Sequence, residues 1–144
     1  MTPASTPTPD LSMTGQVTIR VPTAVGIDRF VAQDIQSAIS GTAWIQNSRA
    51  DAPTEDTSVD YLSFGLMVSN PTAFNWQAGV EKEVFSFTNG GTCLGAVELL
   101  EDLDPFNATP NSVGTRPGNQ FTNLAGDLPV TIITGQTWKA QQTV

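Results

Sequence analysis

Short runs of alternating apolar and polar residues, separated by clusters of turn formers, dominate the chain. Residues 13–21 (MTGQVTIRV) set Met13, Val17, Ile19 and Val21 on one face and Gln16, Thr18 and Arg20 on the other. That is the pattern of a strand with one wet side, and Pro22 ends it. Residues 42–49 (TAWIQNSR) read as another strand, and the strongly apolar run 61–69 (YLSFGLMVS) as a central one. A short strand is expected at 73–76 (AFNW), with Phe74 and Trp76 on one face. Residues 81–89 (EKEVFSFTN) place Val84 on one side and Phe85 and Phe87 on the other. The Asn-Gly-Gly of TNGGT, 88–92, tolerates positive φ and predicts a hairpin, with CLGAVELLE, 93–101, returning as the partner strand. FTNL (121–124) and VTIITG (130–135) supply the last strands.

One stretch breaks this rhythm. In DRFVAQDIQSAIS, 28–40, the residues Phe30, Val31, Ile35, Ala38 and Ile39 fall near helical spacing. Asp28 is a cap at the start and Gly41 a stop at the end, so a short helix is expected; a strand over 30–32 followed by a turn is the alternative. Between the periodic segments lie an acidic loop (DAPTEDTSVD, 51–60), a turn (NPT, 70–72) and a long Pro/Asn/Gly loop at 102–120. Loops of that length are usually functional or tightly packed on themselves. The Thr/Pro-rich residues 2–10 favour an extended conformation, either a solvated linker or an arm that reaches a neighbouring subunit. The predicted fold class is all-β, a β-sandwich with one short helix and a long loop near 102–120. Residues 1–12 form the arm or linker and 13–144 a single sandwich domain.

Composition narrows the function. The chain has 144 residues, enough for one domain with a real core. Charged residues make up 14%, against a usual ~25%, so the polar surface is built from Thr, Ser, Asn and Gln, as in many secreted β-proteins. The net charge is −8, and the six basic residues (Arg20, Arg29, Arg49, Lys82, Arg116, Lys139) are scattered. No basic patch can neutralise phosphates, which excludes nucleic acid and disfavours an anionic membrane. No run approaches the ~18 apolar residues of a membrane span. The first ten residues have neither the basic nor the apolar region of a signal peptide, so either an export signal is removed or the chain is a segment of something longer.

Histidine is absent, which removes the commonest general base, nucleophile activator and zinc ligand. The single cysteine, Cys93, has no partner within the chain; a small buried hydrophobe is expected, ahead of pairing with another chain. The most concentrated chemistry lies in ELLEDLDPFNATPNS, 98–112. Glu101, Asp102, Asp104, Asn107 and Asn111 carry the oxygens that calcium takes. The spacing is not that of an EF-hand, and Glu98 should point to solvent between Val97 and Leu99. A turn in which Asp and Asn bond their own backbone is the first expectation, calcium the alternative, and no cofactor is otherwise implied. Asn107-Ala108-Thr109 matches a glycosylation acceptor.

Further motifs carry a resemblance. GQVTIRVP (15–22), TAWIQNSRADAPTE (42–55), DYLSFGL (60–66), WQAGVEKEVFSFTNGGTCLGAVELLE (76–101) and DPFNATPNSVGTRPGNQ (104–120) occur in this order. Together they resemble secreted bacterial surface domains from large exported proteins of gliding and filamentous bacteria, which stand beside cadherin-like and other adhesive modules. Residues 79–100 are also similar to the cohesin type of sandwich. The resemblance spans roughly 13–120 and implies a jelly-roll/cohesin-like β-sandwich, an extracellular or cell-surface location and a structural or adhesive role. It brings no catalytic residues. The chain departs from the pattern in its Thr/Pro-rich arm and its last residues, 135–144.

Two functions follow as expectations, neither of them enzymatic. The first is a structural subunit of an extracellular filament, sheath or surface assembly, a homo-oligomer or polymer that self-associates by strand-edge or arm exchange. The donor segment is then the region around Leu11, Met13, Val17 and Ile19. The alternative is a cohesin-like or carbohydrate-binding adhesion module of a larger secreted protein, with a glycan or surface protein as partner and Trp138 as the exposed contact.

Overall fold

The computed structural model describes residues 1–124, 126–127 and 130–131. Its strands are β1 (Thr2–Pro3), β2 (Ser12–Pro22), β3 (Ala32–Ser37), β4 (Thr42–Ala50), β5 (Val59–Val68), β6 (Phe85–Asn89), β7 (Glu98–Leu99), β8 (Gln120–Asn123), β9 (Gly126–Asp127) and β10 (Val130–Thr131). All pairings are antiparallel. The fold is all-β. A six-stranded sheet runs in the order β4-β5-β2-β8-β9, and β7 pairs with β2 beyond the end of β8. Separate two-stranded sheets join β3 to β6 and β1 to β10.

Alternation in β2 and β5 builds the main core. Val17, Ile19, Val21, Leu62 and Phe64 are buried on one face, and β6 lies over them. Phe64 stacks on Phe87 at 5.3 Å, and Trp44 on Phe85 at 4.6 Å. Such side chains each contribute about 1.5–3 kcal/mol on full burial. The Trp44 indole N–H has no hydrogen-bond acceptor, a polar cost accepted in exchange for that stacking. As expected of a central strand, β5 is paired on both sides, by β4 and β2.

The expected helix at 28–40 is replaced by β3, preceded by a single 3-10 turn at Gly26–Asp28. The reason is a bulge. Gln33 pairs with Thr88 and Gln36 with Ser86, so β3 carries one residue more than its partner. Asp34, the locus of that extra residue, has φ +50°. The insertion puts Ala32 and Ile35 both against the core, three residues apart, which imitates helical spacing in the sequence. A second bulge lies in β2 between Ser12 and Thr14. It shifts the phase of the strand, so Ser12 is fully buried and Met13 is exposed rather than sharing the face of Val17.

Three other expectations are corrected. Residues 73–76 form a turn and irregular backbone, with Asn75 at φ +47°, although Phe74 and Trp76 do stack in the core at 5.1 Å. The Asn-Gly-Gly segment makes no hairpin. β6 pairs with β3, and the chain then crosses to the large sheet, where Glu98–Leu99 pairs with β2. Neither Gly90 nor Gly91 has positive φ. Gly91 is required by close approach: a Cβ there would stand 1.9 Å from the Arg29 carbonyl oxygen. Cys93 lies on this crossing segment and is exposed, not buried, because no layer of the described residues covers the crossing.

Candidate functional site

The long loop folds back over the other face of the large sheet. Ala50, Val59 and Tyr61 project there from β4 and β5, and Leu100 and Phe106 come down on them from the loop. Tyr61 and Phe106 stack with centroids 4.1 Å apart. The Asp-Pro-Phe sequence explains why Phe106 points inward. Asp104 caps a 3-10 turn at Pro105–Asn107, with its Oδ1 accepting from Phe106 N at 2.9 Å and Pro105 fixing the first turn position.

Asp104 is the hub of the site. Its Oδ1 also accepts from the Tyr61 hydroxyl at 3.0 Å, and its Oδ2 from Arg20 Nη1 at 3.0 Å. The carboxylate side chain is 1% exposed and the Arg20 side chain 30%. Arg20 also faces Glu98, Nε to Oε2 at 3.2 Å, as an ion pair without a directed hydrogen bond from that N–H. Burial pulls the Arg20 value down, but the Asp104 hydrogen bond and the two carboxylates outweigh it and hold the guanidinium above its ordinary value. Burial, then the Asp104 hydrogen bond and charge, push the Tyr61 phenol well above its ordinary value of 10.0.

Further bonds stitch the loop down. The Asn119 side chain fills the gap between β7 and β8: its Oδ1 accepts from Thr18 N at 2.9 Å, and its Nδ2 donates to the Leu100 carbonyl at 2.7 Å. It thus replaces a strand residue in the ladder. The Thr18 hydroxyl is buried against Ser63 Oγ at 2.9 Å and lies 3.1 Å from the Gly118 carbonyl. Glu55 reaches across from the acidic loop to accept from Ser112 N and Oγ, both at 2.6 Å. In that acidic loop's own network, Arg49 binds buried Asp60 at 2.7 Å and Asp51 at 2.6 Å, while Arg29 also pairs with Asp51.

The five residues considered for calcium are dispersed among these roles. Asp104 is buried in its ion pair, while Glu101 and Asp102 are exposed. Asn107 Nδ2 donates to the carbonyls of Glu101 and Asp102, at 2.8 and 3.3 Å. Asn111 is buried, with Nδ2 on the Phe106 carbonyl and Oδ1 accepting from Thr115 N. Among the described residues no group of three or more Asp, Glu or Cys side chains is placed to hold a metal ion. Asn107, the glycosylation acceptor, is half-buried with its amide engaged in the loop. Glu98 is exposed beside Arg20.

Of the residues considered for an assembly arm, Leu11 bonds to the end of β8: Leu124 N donates to the Leu11 carbonyl at 2.8 Å. Val17 and Ile19 are core residues of a strand paired on both edges, so donating them would dismantle the sheet. Trp138 lies outside the described residues. Pattern reading missed Arg20, Tyr61 and Asn119. The one signal for them was Asp-Pro-Phe, a cap followed by an aromatic that must land somewhere. No family model, no curated protein and no solved structure matches the chain.

Proposed function

We propose that this chain is a non-catalytic structural subunit of a bacterial extracellular filament, sheath or surface assembly, with a jelly-roll/cohesin-like sandwich, and that it joins its neighbours through the edge of β4. The observation that carries the reading is the state of that edge. Among the described residues, β4 is the terminal strand of the large sheet and pairs only with β5. From Thr42 to Gln46 it has no charged residue, proline or bulge, the usual protections of an open edge, and a bulge follows only between Gln46 and Ser48. Its one charge, Arg49, is turned to buried Asp60. Ala43 and Ile45 on β4 lie opposite Met67 and Gly65 on β5, and Ala43, Ile45 and Met67 are exposed. An uncharged, partly apolar edge lets a second copy extend the sheet even though each chain carries −8.

The polar networks support the same reading from another direction, since they fasten loops to the sheet and engage Asp10, Asp51, Glu55, Asp60 and Asp104 in structure. A second reading, an adhesion module of a larger secreted protein, is favoured by the exposed Val25, Ile27 and Leu94 on two loops that touch where Gly91 meets Arg29. Every described aromatic is buried or half-buried, which weighs against a sugar-stacking platform on them.

The test is Ile45→Lys, compared with the unaltered chain by negative-stain electron microscopy and sedimentation, with and without a chelator. Ile45 is 47% exposed, so the change should leave stability within about 0.5 kcal/mol. Ordered assemblies in the parent and monomers in the variant are expected. A parent that stays monomeric at all concentrations overturns the filament reading. Assemblies that survive Ile45→Lys remove the β4 edge from it.

A further inference from the structure

Residues 1–9 are seated on the body of the chain by backbone hydrogen bonds and by side chains, with Met1 packed against the main core, Pro3 fully buried and Pro7 buried. Gly79 N donates to the Pro3 carbonyl at 2.9 Å, and Lys82 N to the Met1 carbonyl at 2.8 Å. Ala78 N donates to the Thr6 hydroxyl at 3.0 Å. Thr2 and Pro3 pair with Thr131 and Val130. Only Pro3 and Pro7 of this stretch are buried; residues 4–6 and 8–9 are exposed. One Asp10 carboxylate oxygen accepts from Trp76 N at 2.6 Å and the other from Asn123 Nδ2 at 3.0 Å. Asp10 thus clamps the root by charge-assisted bonds, and the Met1 ammonium, which donates to the Lys82 carbonyl at 2.7 Å, holds the other end.

We infer that this seat, formed by residues 77–82 and β10, accepts residues 1–9 of a second copy, with Asp10 as the fixed pivot of an exchanged arm. The occupant is already specified, because every bond the arm makes within its own chain can be made by the identical segment of a neighbour. Residues 1–9 (MTPASTPTP) contain no ionisable side chain, so the arm carries no side-chain charge onto a body of net charge −8. Prolines at 3, 7 and 9 restrict its backbone and reduce the entropy lost on docking. Nine extended residues span about 30 Å, enough to reach an adjoining molecule. This inference rests on the reading that the chain associates with copies of itself, but it uses a different surface from the β4 edge.

The experiment places Thr6→Cys and Ala78→Cys, both at exposed positions, in a Cys93→Ser background. The full chain is refolded at rising concentration and treated with a short bismaleimide. Denaturing electrophoresis then separates a cross-link within one chain from a cross-link between two. Exchange predicts interchain products, their ratio to the intrachain product rising roughly tenfold for each tenfold rise in concentration while the dimer is the minor species. Equal amounts of the two single-cysteine chains, refolded together, should give the same interchain product. Intrachain product alone at every concentration, or no product at all, overturns the inference. Adding Ile45→Lys separates the two readings. Exchange alone leaves the interchain band when edge-built assemblies are gone, whereas assemblies whose cross-links are all intrachain retain the edge and refute the exchange.

Discussion

The two faces of the large sheet are buried by different means. On one face, Val17, Ile19, Leu62 and Phe64 meet the aromatic side chains of β6 in apolar contact, and the pair of Arg49 with buried Asp60 lies beside it at Val21. On the other, a small cluster of Ala50, Val59, Tyr61, Leu100 and Phe106 lies beneath an irregular loop, and a buried carboxylate joins the layers. Apolar contact is non-directional and scales with area, so a second sheet can supply it. A loop of single turns offers little area and must place its backbone polar groups as well. Asp104 resolves this by bonding the loop backbone, a sheet phenol and a sheet guanidinium at once.

The contrast can be broken from either side. Phe64→Ala removes a fully buried ring from the apolar face and should cost about 3–5 kcal/mol in a urea titration, the largest effect of a single change. A cost below about 1 kcal/mol would mean that β6 does not seal this face. Asp104→Ala leaves the Tyr61 hydroxyl and one Arg20 N–H without their acceptor and uncaps the turn at Pro105. We expect about 2–3 kcal/mol, less than for a fully buried pair because Arg20 is partly open to water. The loss should be local as well as global, with proteolysis in 100–119 accelerating more than elsewhere. Uniform cleavage would show that the loop is fastened by other means.

The same contrast governs what was legible in the sequence. β2 was readable because its alternation from Val17 to Val21 reflects burial of one face, and β5 because a continuous apolar run marks a strand covered on both faces. β3 was not, because its bulge at Asp34 changes the period of two into a spacing of three. The Asn-Gly-Gly turn misled because glycine serves close approach as well as positive φ, and only the position of Arg29 distinguishes the two. At the candidate site, the turn-forming role of Asp104 and Asn111 follows from local chemistry, since Asp and Asn bond backbone a few residues away. Their long-range partners do not follow. Arg20 is 84 residues from Asp104, and nothing in the pattern of β2 distinguishes an arginine that meets a carboxylate from one that meets water.

The finest probe of the loop-covered face is its phenol. Tyr61 is the sole tyrosine in the chain, so absorbance at alkaline pH reports this one group. In the folded state its value is raised above 10.0, first by burial and then by Asp104. A group whose folded value lies above its unfolded value adds stability that is fully present below the unfolded value and lost as pH rises through the folded one. Phenolate absorbance should therefore stay absent as pH passes about 10 and appear only as the chain unfolds, with the two transitions coinciding. Tyr61→Phe removes the hydroxyl but leaves the ring stacked on Phe106, at a cost of about 1 kcal/mol, because Asp104 retains Arg20 and Phe106 N as donors. In Asp104→Ala the phenol should ionise closer to its ordinary value while the chain is still folded. Ionisation of the parent near 10 without unfolding would mean that water reaches the hydroxyl, and that apolar contact, not the carboxylate, is what holds the loop to this face.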